Sequence, residues 1–332
     1  MMSEKFSDLF LQIKNYGIIP AARIEDAANA APFAKALIAG GLNIAEIKLE
    51  TEYAVRAIHR ISDILPDMLL IAGGVVTEQQ IKAAVESGVK VISVARGSGA
   101  GLITYCVKND IPAIAECATA KDIEKALHAG VDVVSLTLLK NQYGIEAQKK
   151  LSAEYPNVKF ILRGEINGDN ISDCLLREGV IACGTSVMCE DEYISEREFA
   201  KIKSLTSALV YKMLGFDFSH IVINCENSEQ ADQYSSKIES IFGLAKTDEG
   251  QSVSNAGIMR FMKTKSYGKN GQIALSTNFI DRALFYLKAS GKEFIEESSR
   301  FDDYGELLSV YLDSIIGGFA FKLVNKHKGG DF

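Results

Sequence analysis

Three charged residues alternate with aliphatic residues in one short segment of the chain, residues 44–50. The charges are Glu46, Lys48 and Glu50. Alternation with period two is typical of a β-strand and places all three charges on one face. Carboxylates and an amine on one face could exchange protons with a bound ligand, so a functional site is one interpretation. A solvated edge strand is the other.

The surrounding pattern decides between these interpretations, because eight short apolar runs alternate with amphipathic helical segments. The runs span residues 17–23, 45–50, 69–74, 90–95, 112–116, 132–137, 158–164 and 180–186. Eight strand–helix units predict an α/β fold, a (β/α)₈ TIM barrel. An open doubly wound sheet is the alternative, but no Gly-x-Gly-x-x-Gly motif follows the first run. A closed barrel has no edge, so the three charges are expected inside it.

Glycines and a long apolar pattern mark the helices of this half. Gly40, Gly88 and Gly130 each follow a helical segment, which predicts left-handed C-caps. Residues 191–214 are predicted to form one longer final helix, ended by Gly215.

The pattern changes after this helix. Two similar strands are each followed by a helix and by further strand segments; they span residues 218–227 and 271–278. A βαβββ unit is therefore repeated once, which indicates an internal duplication. The chain is predicted to have two domains, residues 1–214 with the barrel and residues 215–332 with an α+β fold of two βαβββ modules.

Composition limits the partners and the compartment. The 332 residues are 47% hydrophobic and carry a net charge of −7, which argues against nucleic acid or an anionic membrane as a partner. No apolar run approaches the ~20 residues that span a bilayer. Six scattered cysteines, without a CxxC pair or a signal peptide, predict reduced thiols in a cytoplasmic protein.

Four blocks of the barrel half carry a family resemblance. They are GIIPAARIED, KALIAGGLNIAEIKLETEYAVRAI, IAGGVVTEQQIKAAVESGVKVIS and NDIPAIAECATAKDIEKALHAGVD. The region from about residue 5 to 210 resembles the 2-keto-3-deoxy-6-phosphogluconate (KDPG) and 4-hydroxy-2-oxoglutarate (KHG) aldolases. The second half resembles a glyoxalase-type, vicinal-oxygen-chelate domain. The first resemblance implies an aldehyde lyase that releases pyruvate from a 2-keto acid, and a homo-oligomer, in this family a trimer.

The resemblance also implies a mechanism, in which a strand-six lysine forms an imine with pyruvate and a strand-two glutamate moves protons. Glu46 matches that glutamate. Ser135 occupies the place of the lysine, and a hydroxyl cannot form an imine. Two explanations follow. Either Lys48 has taken over the imine, or the barrel no longer performs aldolase chemistry and Lys48 neutralises the carboxylates of Glu46 and Glu50.

Further candidate residues follow from the same comparison. Those expected at the substrate are Arg23, Glu50, Thr51, Glu116, Ser135, Arg163, Gly164, Glu165, Gly184 and Thr185. Glu165 replaces a glycine of the family's phosphate cradle, and a carboxylate repels phosphate, so a phosphorylated substrate is not expected. The charges of both signs could bind a small polar ligand in a repurposed, catalytically inactive barrel; an internal salt-bridge network without ligand is the remaining alternative.

The second half offers few metal ligands. Metal-dependent relatives of glyoxalase type use His and Glu from the first and last strands of each module. His220 stands at one such place, but Gln272 and Lys322 occupy two others. One His and one Gln are too few for a stable site, so neither a metal nor another cofactor is expected. A metal-dependent isomerase or lyase is the weakest alternative.

Overall fold

The structure is a computed structural model that describes residues 1–137 and 142–328, with the side chains of 142–145 outside the description. It forms two compact units, Met1–Lys212 and Met213–Phe332. In the described residues, none of the helices combines the length and apolar character needed to cross a membrane.

The first unit is a closed barrel of eight parallel strands in sequential order. The strands are β1 (Ile18–Ala22), β2 (Ile44–Lys48), β3 (Leu69–Val75), β4 (Val91–Val94), β5 (Ala113–Cys117), β6 (Val133–Thr137), β7 (Lys159–Arg163) and β8 (Val180–Thr185). Each coincides with one predicted apolar run, and β1 pairs with β8 to close the sheet. The (β/α)₈ prediction is confirmed.

Helices surround the barrel, and most follow a strand in the chain. They are α1 (Met2–Lys5), α2 (Ser7–Tyr16), α3 (Ala30–Ala39), α4 (Ala54–Ile64), α5 (Glu78–Glu86), α6 (Ala100–Lys108), α7 (Ala120–His128), α8 (Gln142–Glu154), α9 (Ile171–Leu175), α10 (Asp191–Ser195) and α11 (Phe199–Leu214). Their apolar faces are buried, as Ala57, Ile58 and Ile61 of α4 illustrate.

Two helix predictions need correction. Residues 191–214 form two helices rather than one, because Arg197 takes a left-handed conformation with φ of 61° between them. Gly40 is not a left-handed cap, since its φ is −88° and the positive φ, 105°, falls on Gly41. Gly40 serves packing instead: a Cβ there would lie 2.5 Å from Cβ of Thr206 on α11.

The second unit is one eight-stranded mixed sheet with two helices. Its elements are β9 (Asp217–Asn224), α12 (Ser228–Phe242), β10 (Lys246–Asp248), β11 (Ser252–Asn255), β12 (Met259–Met262), β13 (Gly271–Thr277), α13 (Ile280–Ala289), β14 (Phe294–Phe301), β15 (Leu307–Ile316) and β16 (Phe319–Asn325). The order is βαβββ twice, and the spatial order is β10-β11-β12-β9-β13-β16-β15-β14. The predicted α+β architecture is confirmed.

The two halves of this sheet meet at β9 and β13, which run antiparallel. One apolar cluster joins α12 to the sheet through Ala231 on the helix and Cys225, Val253 and Phe261 on or beside the strands. The helix thus covers one face of the first module and gives it a core of its own.

Candidate active site

A cavity of about 330 Å³ opens at the carboxyl ends of the barrel strands. Active sites of this fold lie at that end. Eight of the predicted site residues line it: Glu46, Lys48, Glu50, Glu116, Arg163, Gly164, Gly184 and Thr185. The strand ends of β2, β5, β7 and β8 bring these residues together from distant parts of the chain.

Glu46 forms a two-pronged ion pair with Arg163 inside this cavity. Nη1 of Arg163 donates to Oε1 of Glu46 at 3.0 Å, and Nη2 donates to Oε2. The side chain of Arg163 is 15% exposed, and that of Glu46 is 4% exposed. Parallel N–H···O bonds of this kind fix orientation as well as charge, so the Glu46 carboxylate has one defined position.

The electrostatics of Arg163 agree with this geometry. Burial lowers the pKa of its guanidinium, but the neighbouring carboxylates of Glu46 and then Glu116 outweigh burial and raise the pKa of Arg163 overall. The guanidinium is therefore held charged at the inner end of the cavity.

Two glycines make room for the pair. A Cβ on Gly73 would lie 2.4 Å from Oε1 of Glu46, and a Cβ on Gly184 would lie 3.1 Å from Nη1 of Arg163. Neither glycine has a positive φ, so close approach rather than backbone conformation explains both. The absence of a side chain at Gly73 and at Gly184 thus leaves space for the two side chains of the ion pair.

Lys48 lies two residues beyond Glu46 on β2 and aligns with Gly73 of β3. It is half-buried and lines the cavity. Within residues 1–137 and 142–328 its amine makes no hydrogen bond or ion pair. Arg163, and not Lys48, is therefore the ion-pair partner of Glu46, and Lys48 lies one pleat nearer the mouth of the barrel.

Glu116 and Ser135 are aligned neighbours on β5 and β6. Glu116 lines the cavity, and its Oε2 accepts the backbone N–H of Arg96 at 3.1 Å. Ser135 is fully buried and does not line the cavity; its hydroxyl has no hydrogen-bond partner among the described residues. The position that the resemblance assigns to the family's lysine is thus a buried position on β6, and its side chain carries no amine.

Three predicted site residues also lie outside the cavity lining. Arg23 binds the carboxylates of Glu25 and Asp191 at a partly exposed position. Thr51 donates its hydroxyl to the carbonyl oxygen of Ile24 at 2.7 Å. Glu165 is exposed on the loop after β7.

Residues that sequence reasoning did not single out complete the lining. They are Ala21, Gly74, Ser93, Thr137 and Ser186. Ser93 and Thr137 could have been found from position, since each lies near the carboxyl end of a strand, the former 4% exposed on β4 and the latter at the end of β6. Their small hydroxyls add hydrogen-bonding groups to a cavity otherwise dominated by charge.

The second unit shows no metal-binding arrangement in its described residues: nowhere do three His, Cys, Asp or Glu side chains converge. His220 is 4% exposed, and its Nδ1 lies 3.1 Å from the hydroxyl of Ser219. Gln272 and Lys322 lie on the neighbouring strands β13 and β16, and an ammonium so near would oppose a cation.

Comparison with known proteins gives consistent matches for the barrel. A family model described as KDPG and KHG aldolase matches residues 11–205. The 2-dehydro-3-deoxy-phosphogluconate aldolase of Treponema pallidum is 30% identical over 198 residues, which cover 60% of this chain and 94% of that protein. The KHG/KDPG aldolase of Escherichia coli K12 is 25% identical over 193 residues, covering 58% and 90%.

Solved structures agree. The KDPG aldolase of Legionella pneumophila, with pyruvate captured at low pH as a covalent carbinolamine, has a TM-score of 0.55 and 27% identity, covering 60% of this chain and 97% of that one. The Zymomonas mobilis enzyme, solved with 3-phosphoglycerate, has a TM-score of 0.54 and 26% identity, covering 60% and 94%. Since the family match takes in more than half of the 332 residues and the fold agrees, the chain belongs to the KDPG and KHG aldolase family.

Proposed function

We propose that the barrel performs imine chemistry on a small, non-phosphorylated 2-keto acid, with Lys48 as the reacting amine. One observation carries this proposal: Lys48 lines the cavity without an ion pair to any described residue, whereas its neighbour Glu46 is bound by Arg163. An amine that is not engaged by a carboxylate has its nitrogen available for addition to a substrate carbonyl.

The reaction has three stages. The Lys48 amine adds to the C2 carbonyl of the keto acid, and the carbinolamine loses water to give an imine. As the C3–C4 bond breaks, the imine accepts its electron pair, the C4 hydroxyl gives its proton to a carboxylate, and an aldehyde leaves. The remaining enamine is protonated at C3, and hydrolysis of the imine releases pyruvate and the free amine.

Glu46 and Arg163 have distinct roles in this proposal. A carboxylate offers about four lone-pair directions, so Glu46 can bind Arg163 and still accept and return the substrate proton. Two of about five guanidinium N–H groups of Arg163 donate to Glu46, and others can bind the substrate carboxylate. Arg163 would thereby hold the substrate carboxylate in the cavity.

The charge of the cavity supports a substrate without phosphate. Three carboxylates line it, those of Glu46, Glu50 and Glu116, against two cations, Lys48 and Arg163. Such a lining binds a carboxylate only where a cation faces it, and it repels a phosphate dianion more strongly than the singly charged second carboxylate of KHG. KHG, which carries no phosphate, fits this cavity better than KDPG.

Pyruvate release from KHG, followed with a coupled lactate dehydrogenase, tests the proposal. The change Lys48→Met should reduce turnover to the uncatalysed rate, and Glu46→Gln should lower it by about 10²–10⁴-fold. Lys159→Met is the matched control, because Lys159 is a half-buried lysine at the start of β7 that does not line the cavity. Equal turnover by Lys48→Met and Lys159→Met would overturn the assignment.

A second candidate function is binding of a small polar ligand without catalysis. It is favoured by Ser135, the buried hydroxyl at the place where the family carries its lysine. Titration calorimetry with pyruvate separates the candidates when combined with the turnover assay. Binding without turnover, unchanged in Lys48→Met, would establish this second function and exclude the first.

The whole protein is proposed to be a cytoplasmic homo-oligomer, a trimer as its family resemblance implies, with a glyoxalase-like second domain. The support is the family membership of the barrel and the repeated βαβββ order of the second unit. Light scattering after gel filtration measures the oligomer directly. A monomeric mass would contradict it.

A further inference from the structure

Two cysteine side chains meet on the outer side of the barrel strands. Cys174 lies on the short helix α9, and Cys183 lies on β8, the last strand of the barrel. The helix packs on this strand, and a hydrogen bond joins the two thiols. Neither cysteine forms a disulfide. The fold thus holds two thiol groups in contact, as the formation of a disulfide between them requires.

The side chain of Cys183 points away from the barrel cavity. Its neighbour Gly184 lines the cavity, where a Cβ would lie 3.1 Å from Nη1 of Arg163. Because successive residues of a strand face opposite sides, Cys183 faces the helices, where Cys174 contacts it. Both thiols are buried. The pair is therefore separate from the cavity and takes no part in the imine chemistry proposed there.

A guanidinium group lies beside the pair. The backbone N–H of Arg177 donates to the carbonyl oxygen of Cys174 at 3.4 Å, so Arg177 follows directly on the helix end. Nη1 of Arg177 is buried and donates to no described residue. A buried, charged donor without an acceptor is costly. A thiolate at Cys174 would place a negative charge close to this donor.

The thiol pKa distinguishes Cys174 from another buried cysteine of the barrel. Burial raises the pKa of Cys106 to about 12. The hydrogen bond with Cys183 lowers the pKa of Cys174, and the charge of Arg177 adds to this effect. Together they outweigh burial and the carboxylate of Asp173, both of which raise the pKa of Cys174. Since the thiolate is the form that reacts with oxidants, Cys174 is the more nucleophilic thiol.

A thin layer of chain separates Cys174 from solvent. Helix α9 has only five residues, and Asp173 and Leu176 beside Cys174 are exposed. Short segments at a protein surface open locally at a lower free-energy cost than the core of a domain. Opening of this helix alone would expose the Cys174 sulfur to a small molecule, with the barrel strands left in place.

We propose that Cys174 and Cys183 are a reversible oxidation site, at which a small hydroperoxide converts the two thiols into one disulfide. The Cys174 thiolate attacks an oxygen of hydrogen peroxide, the O–O bond breaks, and hydroxide leaves a sulfenic acid on Cys174. The Cys183 sulfur then attacks the Cys174 sulfur, the S–O bond breaks, and hydroxide leaves again. The two hydroxides take up the two thiol protons, so two thiols are oxidised while one peroxide is reduced to two waters.

Peptide mapping of the full chain tests this proposal. The native chain is treated with hydrogen peroxide, its remaining thiols are alkylated after unfolding, and it is digested with trypsin without reductant. Trypsin places Cys174 on residues 164–177 and Cys183 on residues 178–197, together with Cys189. Fragment ions of the linked peptides therefore have to distinguish Cys183 from Cys189.

We expect one linked pair, Cys174 to Cys183, that is lighter by two hydrogens than the two reduced peptides and is separated by dithiothreitol. Cys106 is the internal control, because burial keeps it a thiol, and it should still be alkylated after the peroxide treatment. A link through Cys189, the absence of a link, or equal oxidation of Cys106 would overturn the proposal. This mapping uses the unmodified chain, so it does not depend on the folding of any variant.

Variants separate the roles of the two sulfurs. Cys183→Ser keeps a hydrogen-bond donor but removes the second sulfur, so Cys174 should remain a sulfenic acid that dimedone traps. In this variant, Arg177→Met should shift the pH profile of dimedone labelling upward by about one unit, because the thiolate loses a nearby cation. Arg60→Met, at an exposed position of α4, should leave the profile unchanged. Cys183→Ser without a dimedone adduct on Cys174, or equal profiles for Arg177→Met and Arg60→Met, would contradict the assigned roles.

Discussion

Glu46 is 4% exposed, and a carboxylate so far from water requires a counter-charge. Arg163 supplies it through two hydrogen bonds from a strand 117 positions away in the chain. Alternation in the sequence predicts that Glu46, Lys48 and Glu50 share a face. It does not predict which cation serves which carboxylate, because that depends on the distance between β2 and β7 across the barrel. The pairing leaves Lys48 without a described partner.

Removing one partner of this pair should be costly. Arg163→Met leaves the Glu46 carboxylate buried without compensation, so the free energy of unfolding should fall by about 3–5 kcal/mol. Urea denaturation measures it. The double variant Glu46→Gln with Arg163→Met should recover much of the loss, since no buried charge remains. A loss below about 1 kcal/mol in the single variant, the range of exposed ion pairs, would show that the pair is solvated.

Gly73→Ala should disturb the same pair from the neighbouring strand. The new Cβ would meet Oε1 of Glu46 at 2.4 Å, so the Glu46 side chain must move, at a cost of about 1–3 kcal/mol in unfolding free energy. Gly101→Ala is the matched control. Gly101 lies in α6 with open space around its Cβ position, and alanine there should be neutral or stabilise by up to about 1 kcal/mol. Equal stability of the two variants would refute the packing argument.

At the scale of elements, the sequence predicts most of the barrel and little of its detailed packing. The eight apolar runs identify the strands because parallel strands are buried on both faces. Glycine after an apolar helix does not identify a left-handed cap, however, as Gly40 shows. Thr206 on α11 leaves no room for a Cβ at position 40, and the two residues are far apart in the chain. Contacts of this kind are set by tertiary packing and leave no local signal.

Helix capping, by contrast, can be predicted from the sequence, because the capping residues are close together in the chain. Thr119 and Asp122 form a capping box at the start of α7. Burial raises the pKa of Asp122, but N–H groups donated by Ala118 and Thr119 outweigh it and lower the pKa below its usual 3.8. The carboxylate therefore contributes stability above pH 3.8, and this contribution is lost as pH falls through the lower pKa of the folded state.

Asp122→Ala should thus reduce the free energy of unfolding by about 1 kcal/mol at neutral pH. The difference from the unmodified chain should shrink as the pH falls well below 3.8. Urea denaturation across this range measures it. Asp67→Ala, at an exposed loop position, should stay within about 0.5 kcal/mol of the unmodified chain throughout. A pH-independent loss in Asp122→Ala would contradict the assigned cause.

At the scale of the whole molecule, the sequence predicts only part of the chemistry of the barrel unit. The barrel cavity has a net negative lining with one unpaired lysine among the described residues. The sequence predicts this cavity through family resemblance. The contact between Cys174 and Cys183 could not be predicted, because the cysteines form no CxxC pair and the contact depends on how α9 packs on β8.

The boundary between the units can be tested by truncation. The predicted boundary after residue 214 remains a prediction, but the carbonyl of Leu214 accepts the buried hydroxyl of Thr277 at 2.7 Å and the N–H of Asn278 at 2.9 Å. A fragment of residues 213–332 should therefore be more stable than one of residues 215–332, by about 1–3 kcal/mol for the unsatisfied hydroxyl. Chemical denaturation of both fragments measures this. Equal stability would favour the later boundary.

Whether Lys48 forms the imine can be measured by trapping it. The chain is incubated with pyruvate and borohydride, digested, and mapped by mass spectrometry, with Lys159→Met and Lys48→Met treated in parallel. We predict one reduced pyruvate adduct on the peptide that carries Lys48, present in Lys159→Met and absent from Lys48→Met. An adduct at another lysine, or no adduct in a chain that binds pyruvate, would contradict the proposal that Lys48 performs the chemistry of the barrel.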